Sequence, residues 1–461
     1  MLSVLHKISS KNSISRWILS RTLIRYLHPS DDQILEMANL KRKKSKGSRD
    51  NRSGSRHGSR HRQNEQNEDL ETTFKIPKNT PFVLEAMKVR PEDLNELKFY
   101  PEYQSTLDFS LCALMVFVST ELFVYFFPKN QELNIYLIWC FLVIGFSLKT
   151  LLTLTRLYFK GDESIGERSM CITAGGIFFL VAMIVLIAKE EFLELGLNPA
   201  YDSFNASAYQ LLEGHGVIEH ATGPLSKLIF KFWLAVACGF IGSLFMFPGL
   251  RFGQMHKDSI MFMSGQRINQ LVLNISFVSP LFILLLWIKP VARSYLTERE
   301  FPGRGVIMTD DTFESLRIIS ILIVIILRSL LMNQYLQSYL NLAPNRLVRM
   351  RKEAGTITNI QLKRMIAGVF YYLSIVALQF LAPLLLLLFS TLLFKVMGDH
   401  GWTGSLLGTN TIQSTPIDAN GLNKVFSPIV WRGIFGFTCW WLTFVWFTTS
   451  IIGFVYHSYY S

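Results

Sequence analysis

Residues 366–394 read IAGVFYYLSIVALQFLAPLLLLLFSTLLF, a run with no charged side chain, preceded by Lys363 and Arg364 and closed by Lys395. About 20 apolar residues in a helix cross a hydrocarbon core about 30 Å thick, so this stretch is long enough to span a bilayer. Seven more apolar runs, five of them with one or two charged residues, lie at 108–127, 134–152, 170–188, 228–247, 268–288, 318–336 and 430–456. A buried core helix can imitate one such run. Eight of them leave no polar helix faces to meet water.

The expected fold is therefore all-α: a polytopic transmembrane helical bundle of about eight spans over 108–461, with a disordered basic N-terminal tail. Composition agrees. Half of the 461 residues are apolar and 17% are charged, where soluble chains carry about a quarter.

The charge is unevenly placed. Residues 1–107 hold 20 of the 46 Lys and Arg, so the net +12 belongs mainly to this segment. Within it, residues 41–62 read KRKKSKGSRDNRSGSRHGSRHR. Such a run buries too little apolar surface to offset ordering entropy, and disorder is expected around 41–70. The natural partner is an anionic lipid surface, at about 1 kcal/mol per basic residue close to it. Eight downstream spans argue against nucleic acid. His57 and His61 stand four apart, but a Gly/Ser chain fixes no metal geometry. Residues 1–28 carry Lys7, Lys11, Arg16, Arg21 and Arg25 and no acid, as mitochondrial presequences do. On a helix, however, Ile14, Trp17, Leu19, Leu23 and Leu27 scatter instead of forming one stripe.

Orientation follows from Lys and Arg near the spans. With the tail in the cytosol, the inner loops carry twelve such residues and the outer loops ten. The loops alone barely decide, and the tail's twenty put both termini inside. The outer 189–227 loop is acidic and contains the sequon Asn205-Ala206-Ser207, which makes Asn205 the candidate N-glycosylation site. Asn274-Ile275-Ser276 also fits the pattern but lies within the fifth span.

Ionisable groups inside spans are costly and point to function. Glu121 in the first span and Arg328 in the sixth lie at similar depth and form a candidate intramembrane charge pair. Such a pair either locks two helices or lines an ion path. In the fifth span, Gln266, Gln270 and Asn274 follow at four-residue spacing, so Gln270 and Asn274 form a candidate polar helix face for a wet cavity or an interhelical bond. Pro280 and Pro383 should kink the fifth and seventh spans, since each removes one helical hydrogen bond. Ser279-Pro280-Leu281 and Ala382-Pro383-Leu384 open similar leucine-rich runs, a hint of a parallel internal repeat.

Enzymatic signatures are missing: no HExxH, GxGD, GxSxG, Walker or Rossmann pattern occurs. His256-Lys257-Asp258 reads as polarity at a membrane edge. The cysteines, Cys112, Cys140, Cys171, Cys238 and Cys439, each sit in an apolar run without zinc spacing and read as small buried residues. No cofactor is expected.

Several blocks together resemble the transmembrane protein 161 family, multispan animal proteins with A and B forms. They include Ile14-Ser15-Arg16-Trp17-Ile18-Leu19 with His28-Pro29-Ser30, Pro101-Glu102-Tyr103-Gln104 and Gly166-Glu167-Arg168-Ser169. Further blocks are Phe247-Pro248-Gly249-Leu250-Arg251 with Gln254-Met255-His256, Ser279-Pro280-Leu281-Phe282, Leu336-Gln337-Ser338-Tyr339-Leu340 and Ala382-Pro383-Leu384. The order is collinear from about residue 13 onward. Family members usually open with a further apolar segment before the part matching Ser13 to Trp17, and a shorter isoform or gene model is the expectation here. The resemblance implies a non-enzymatic membrane protein linked to calcium and potassium currents and to rhythm in excitable cells, with cation channels as partners. For the A form it implies a link to oxidative-stress resistance. A transporter or channel in its own right is the alternative reading.

Overall fold

A computed structural model describes residues 13–38, 73–127, 135–160, 165–214, 226–263, 265–300, 302, 306–402 and 425–460. The basic run at 41–62 lies outside them. Eight helices long and apolar enough to cross a membrane occur among the described residues, and the fold is the expected eight-span bundle. The spanning helices are α3 (Tyr100–Phe126), α4 (Ile135–Lys160), α5 (Ile165–Ile187), α7 (Lys227–Phe262), α8 (Arg267–Leu285), α9 (Asp310–Leu340), α12 (Leu373–Met397, continuous in span with α11, Asn359–Tyr371) and α13 (Pro428–Tyr460). Helix α6 (Leu197–Gly214) lies between α5 and α7 in the chain, and α10 (Leu342–Lys352) follows α9.

Several helices overrun the apolar runs that announced them. Helix α7 has 36 residues, about 54 Å at 1.5 Å per residue, well beyond the hydrocarbon thickness. Its backbone bonds are satisfied internally, so polar residues past the membrane do not end it. Pro248, Pro280 and Pro383 all lie inside helices that continue through them.

The chain divides into two compact units. The first comprises residues 1–15, 101–335 and 375–461. Here α12 is buried almost all round, from Leu373 through Phe394. Helices α3, α4, α5 and α8 instead expose Leu122, Ile138, Leu180, Ile184 and Leu271, which suits a lipid-facing surface. The two runs compared as a repeat thus have different surroundings: α12 is enclosed, whereas Leu281 and Phe282 of α8 are exposed.

Close helix contacts in this unit use small residues. Apolar burial does not drive helices together inside lipid, so backbone proximity and shape complementarity matter more. Gly249 and Gly253 of α7 face Thr449 and Gly453 of α13. A side chain added at Gly253 would put its Cβ 2.6 Å from the Gly453 carbonyl carbon. Along the other face of α7, Gly239 and Gly242 meet Phe179 and Phe178 of α5. Trp441 Nε1 donates to the Cys238 carbonyl at 3.3 Å, and Tyr158 stacks on Phe247 with centroids 4.1 Å apart.

The second unit comprises residues 16–100 and 336–374. Part of what reads as a tail is therefore folded. Strand β1 (Ile24–Leu27) pairs antiparallel with β3 (Glu85–Lys88), Ile24 opposite Lys88. Strand β2 (Lys75–Pro77) pairs with β4 (Thr356–Thr358), Lys75 opposite Thr358. Helix α1 (Ile14–Arg21) precedes β1, and α2 (Asp31–Met37) opens with a capping box from Ser30 and Gln33. Leu19, Leu23, Ile34, Ile76, Phe82 and Leu94 are all buried. Gln337 bonds both backbone groups of Ile24, at 2.8 and 3.2 Å, and Arg25 pairs with Asp93 at 3.1 Å. Asp31 accepts from Lys363 Nζ at 2.7 Å and Asn359 Nδ2 at 3.0 Å. Partial burial alone would raise its carboxyl, but the Lys363 and Asn359 hydrogen bonds and the charges of Lys363 and His28 hold it below the usual value.

Two outcomes follow from this packing. Gly253→Ala should lower the thermal midpoint of the detergent-purified protein, by about 1–3 kcal/mol of overpacking. Gly176→Ala, with nothing within 4 Å of the new Cβ, should be neutral or stabilising by about 0.5–1 kcal/mol. Because the Asp31 carboxyl is depressed on folding, its tie is present above the unfolded carboxyl pKa and lost as pH falls through the lower folded value. Hydrogen exchange at β4 and the start of α11 should quicken on that acid descent, and Asp31→Asn should give the faster exchange already at neutral pH.

Candidate functional site

Arg328 is fully buried. It lies eleven residues past Arg317 on α9, about 16 Å along the helix, so it sits deep within the membrane span. Its Nε donates to the Ser276 carbonyl at 3.3 Å. The local cause is Pro280: a proline has no N–H for the carbonyl four residues earlier, which frees the Ser276 oxygen. The Ser279 hydroxyl bonds the same oxygen at 2.9 Å. The guanidinium carbon stands 3.9 Å from the Trp446 ring centroid and 4.7 Å from that of Phe252, within cation–π range. Nη1 and Nη2 have no hydrogen-bond partner among the described residues.

The surrounding cage is aromatic. Phe252 and His256, one turn apart on α7, meet Phe277 of α8, with His256 stacked on Phe277 at 4.2 Å. Tyr335, two turns beyond Arg328 on α9, packs on Phe252 at 5.0 Å and on Phe380 of α12 at 5.8 Å. The Tyr335 hydroxyl lies 3.4 Å from His256 Nδ1. Helices α7, α8 and α13 thus converge on one cation of α9, and α12 packs Phe380 against the cage. The His256-Lys257-Asp258 reading needs correction here: His256 is buried, because Phe277 and Tyr335 cover it, while Lys257 turns away to the His457 carbonyl.

Glu121 and Arg328 are not brought together. The Glu121 carboxylate accepts from Lys395 Nζ at 2.6 Å and Trp402 Nε1 at 2.9 Å, and Lys395 lies over the Trp402 ring at 4.9 Å. Glu121 and Lys395 stand near the ends of α3 and α12, which meet. Depth along a helix is legible in sequence, whereas the neighbouring helix is not. The lysine closing the leucine-rich run was the available signal.

The polar face of α8 meets the end of α7. Gln270 Nε2 donates to the Ile260 carbonyl at 3.1 Å, satisfying one of the last-turn carbonyls that α7 leaves without an internal partner. Asn274 is exposed and bonds His256. Asn205 lies half-buried on α6.

A second charged cluster was missed from sequence. Arg317, 4% exposed, donates to Glu194 at 2.8 Å, to Glu314 at 2.9 Å and to the Leu286 carbonyl at 3.0 Å. Its guanidinium lies over Phe313 and Trp287. Arg293 pairs with Glu194 and, at 2.9 Å, with Asp310. The backbone joins the same segments, with Glu194 N donating to Trp287 O and Lys289 N to Phe192 O, both at 3.0 Å. The signal was the facing of an acidic loop, 189–194, by a basic one, 289–317. Nearby, burial pushes the His400 ring down to about 4, so it is neutral at physiological pH.

No group of three or more His, Cys, Asp or Glu among the described residues has an arrangement that holds a metal. No solved structure matches the chain. The family model described as "Predicted transmembrane protein 161AB" matches residues 1–461, the whole length over which the helices, the arginine cage and the ion-pair cluster are distributed. The chain belongs to the transmembrane protein 161A/B family.

Proposed function

We propose that this multi-pass membrane protein is a non-enzymatic modulator of calcium and potassium currents that acts through partner channels. The link to cation currents comes from the family resemblance. One observation favours modulation over conduction: the charges that would line a path are each taken up in packing. Arg328 is enclosed by Trp446, Phe252 and their aromatic neighbours, and the part-exposed Glu121 is paired with Lys395 and Trp402. An enclosed cation ties α7, α8, α9 and α13 together and leaves the apolar faces of α3, α4, α5 and α8 available to helices of a partner. In this reading both termini are cytosolic, the 41–62 run meets anionic inner-leaflet lipid, and Asn205 carries a glycan on the outer side.

The reading that the chain conducts ions itself draws on the two guanidinium nitrogens of Arg328 that lack a hydrogen-bond partner among the described residues. Whole-cell recording in cells expressing the chain, beside purified protein in planar bilayers, separates the two. The expected result is altered endogenous calcium or potassium current with silent bilayers. A unitary conductance from purified protein that disappears in Arg328→Gln or Glu121→Gln would overturn the modulator reading.

A further inference from the structure

The stretch from Lys289 to Glu298 separates two cavities of different character. On one side, Phe282, Leu286, Tyr295, Leu296, Ile323 and Val324 line an almost wholly apolar groove of about 450 Å³. On the other, a polar cavity of about 470 Å³ is lined by five carboxylates, Glu190, Glu191, Glu194, Glu298 and Asp310, against two cations, Lys289 and Arg293. The division is written in the stretch itself. Lys289, Arg293 and Thr297 recur every four residues toward the polar cavity, while Val291 and Tyr295, with Ala292 and Leu296, recur every four toward the groove. The stretch runs through turns into a single π-helical turn, Ser294–Glu298, and its two sides face the two cavities.

We propose that this pair of cavities binds one zwitterionic phospholipid, its acyl chain in the groove and its ammonium headgroup among the carboxylates. Three observations carry the assignment. The groove is built from spanning helices α8 and α9, and it opens sideways, since Phe282, Val291 and Ile323 are each more than half exposed. Its volume lies in the range of about 300–1,000 Å³ usual for small-molecule sites. The two cavities share the stretch from Lys289 to Glu298 as a common wall, with Val291, Ala292, Tyr295 and Leu296 on the groove and Lys289, Arg293, Thr297 and Glu298 on the polar side.

Charge then chooses the headgroup. Arg293 is engaged by Glu194, Asp310 and Glu314, and Lys289 faces Glu298 at 3.5 Å. The carboxylate excess attracts an ammonium and repels a headgroup of net negative charge. The half-exposed Lys289 stands at the rim for the lipid phosphate. The preference is opposite to that expected of the basic 41–62 run, and it does not depend on whether the chain modulates currents.

The test uses the full chain, delipidated in detergent and titrated with phosphatidylcholine or with phosphatidylglycerol of the same acyl chains. The readouts are the thermal midpoint and retention of single lipids in native mass spectrometry, since a ligand that binds the folded state raises the midpoint. Phosphatidylcholine should raise the midpoint at a concentration at least tenfold lower than phosphatidylglycerol. Ile323→Trp fills the groove from an exposed position and should weaken the phosphatidylcholine response at least tenfold while leaving the lipid-free midpoint in place. Val291→Trp, on the Lys289–Glu298 side of the groove, should do the same and serves if Ile323→Trp folds poorly. Glu191→Lys combined with Glu298→Lys should abolish the headgroup preference while keeping one retained lipid. Equal responses of the unaltered chain to both lipids, meaning ordinary surrounding lipid only, would overturn the proposal. So would an undiminished phosphatidylcholine response in the tryptophan variants.

Discussion

A guanidinium deep inside a bilayer has no water to solvate it, and the bundle is organised around that constraint. A charge at the centre of a spanning helix costs about 2.5–3.5 kcal/mol on insertion scales and more in simulations of isolated helices. Arg328 is accommodated without a carboxylate among the described residues. A carbonyl freed by Pro280 and the faces of Trp446 and Phe252 meet it instead. Each contributor comes from a different helix, and displacing α7, α8 or α13 would strip the cation of part of its surroundings. Arg317, about 16 Å nearer the start of α9, meets the opposite solution: two carboxylates, a carbonyl and two rings. A single helix therefore carries one arginine stabilised by ion pairs near the interface and one stabilised by aromatic faces in the interior.

Small residues make those convergences geometrically available. Hydrocarbon offers little drive for one apolar helix to prefer another over lipid, so intimate contact at Gly249, Gly253 and Gly453 lets α7 and α13 approach until their backbones touch. That approach places Phe252 and Trp446 on the same cation. The glycine seam and the arginine cage are consequently one structural device: without the seam the rings would stand too far apart, and without the cation their arrangement would be one of many ways to pack aromatic side chains.

The spans were legible because hydrophobic length is a one-dimensional property, fixed by bilayer thickness and readable without knowing any contact. What failed was everything that depends on which helix lies beside which. Glu121 and Arg328 had matching depths, yet Glu121 meets Lys395 and Trp402, a neighbour relation that residue spacing does not encode. The pairs Arg293–Glu194 and Arg317–Glu194 join segments 99 and 123 residues apart in the chain. The same limit applied to residues 16–38 and 73–100. Their apolar positions, among them Leu23, Ile34, Ile76 and Leu94, follow neither a helical nor a strand period over any useful length, because they serve short elements assembled with residues 336–374. Basic composition dominated that segment and concealed the scattered residues that fold.

Interaction with lipid then becomes more than a background property of a membrane protein. The ion-pair cluster around Glu194 uses its two arginines internally and leaves carboxylates in excess beside the amphipathic stretch from Lys289 to Glu298. The same residues that stabilise the end of α9 thereby set the electrostatic character of the adjacent bilayer boundary. Because Glu194 bonds both arginines while its backbone joins Trp287, a change in what occupies the polar cavity reaches α9 directly. Eleven residues farther along that helix sits Arg328. A rigid helix anchored at one end by ion pairs and deep in the membrane by an aromatic cage provides a physical connection between the membrane surface and the bundle interior, which is the property a protein needs if it influences neighbouring channels through the arrangement of its own helices.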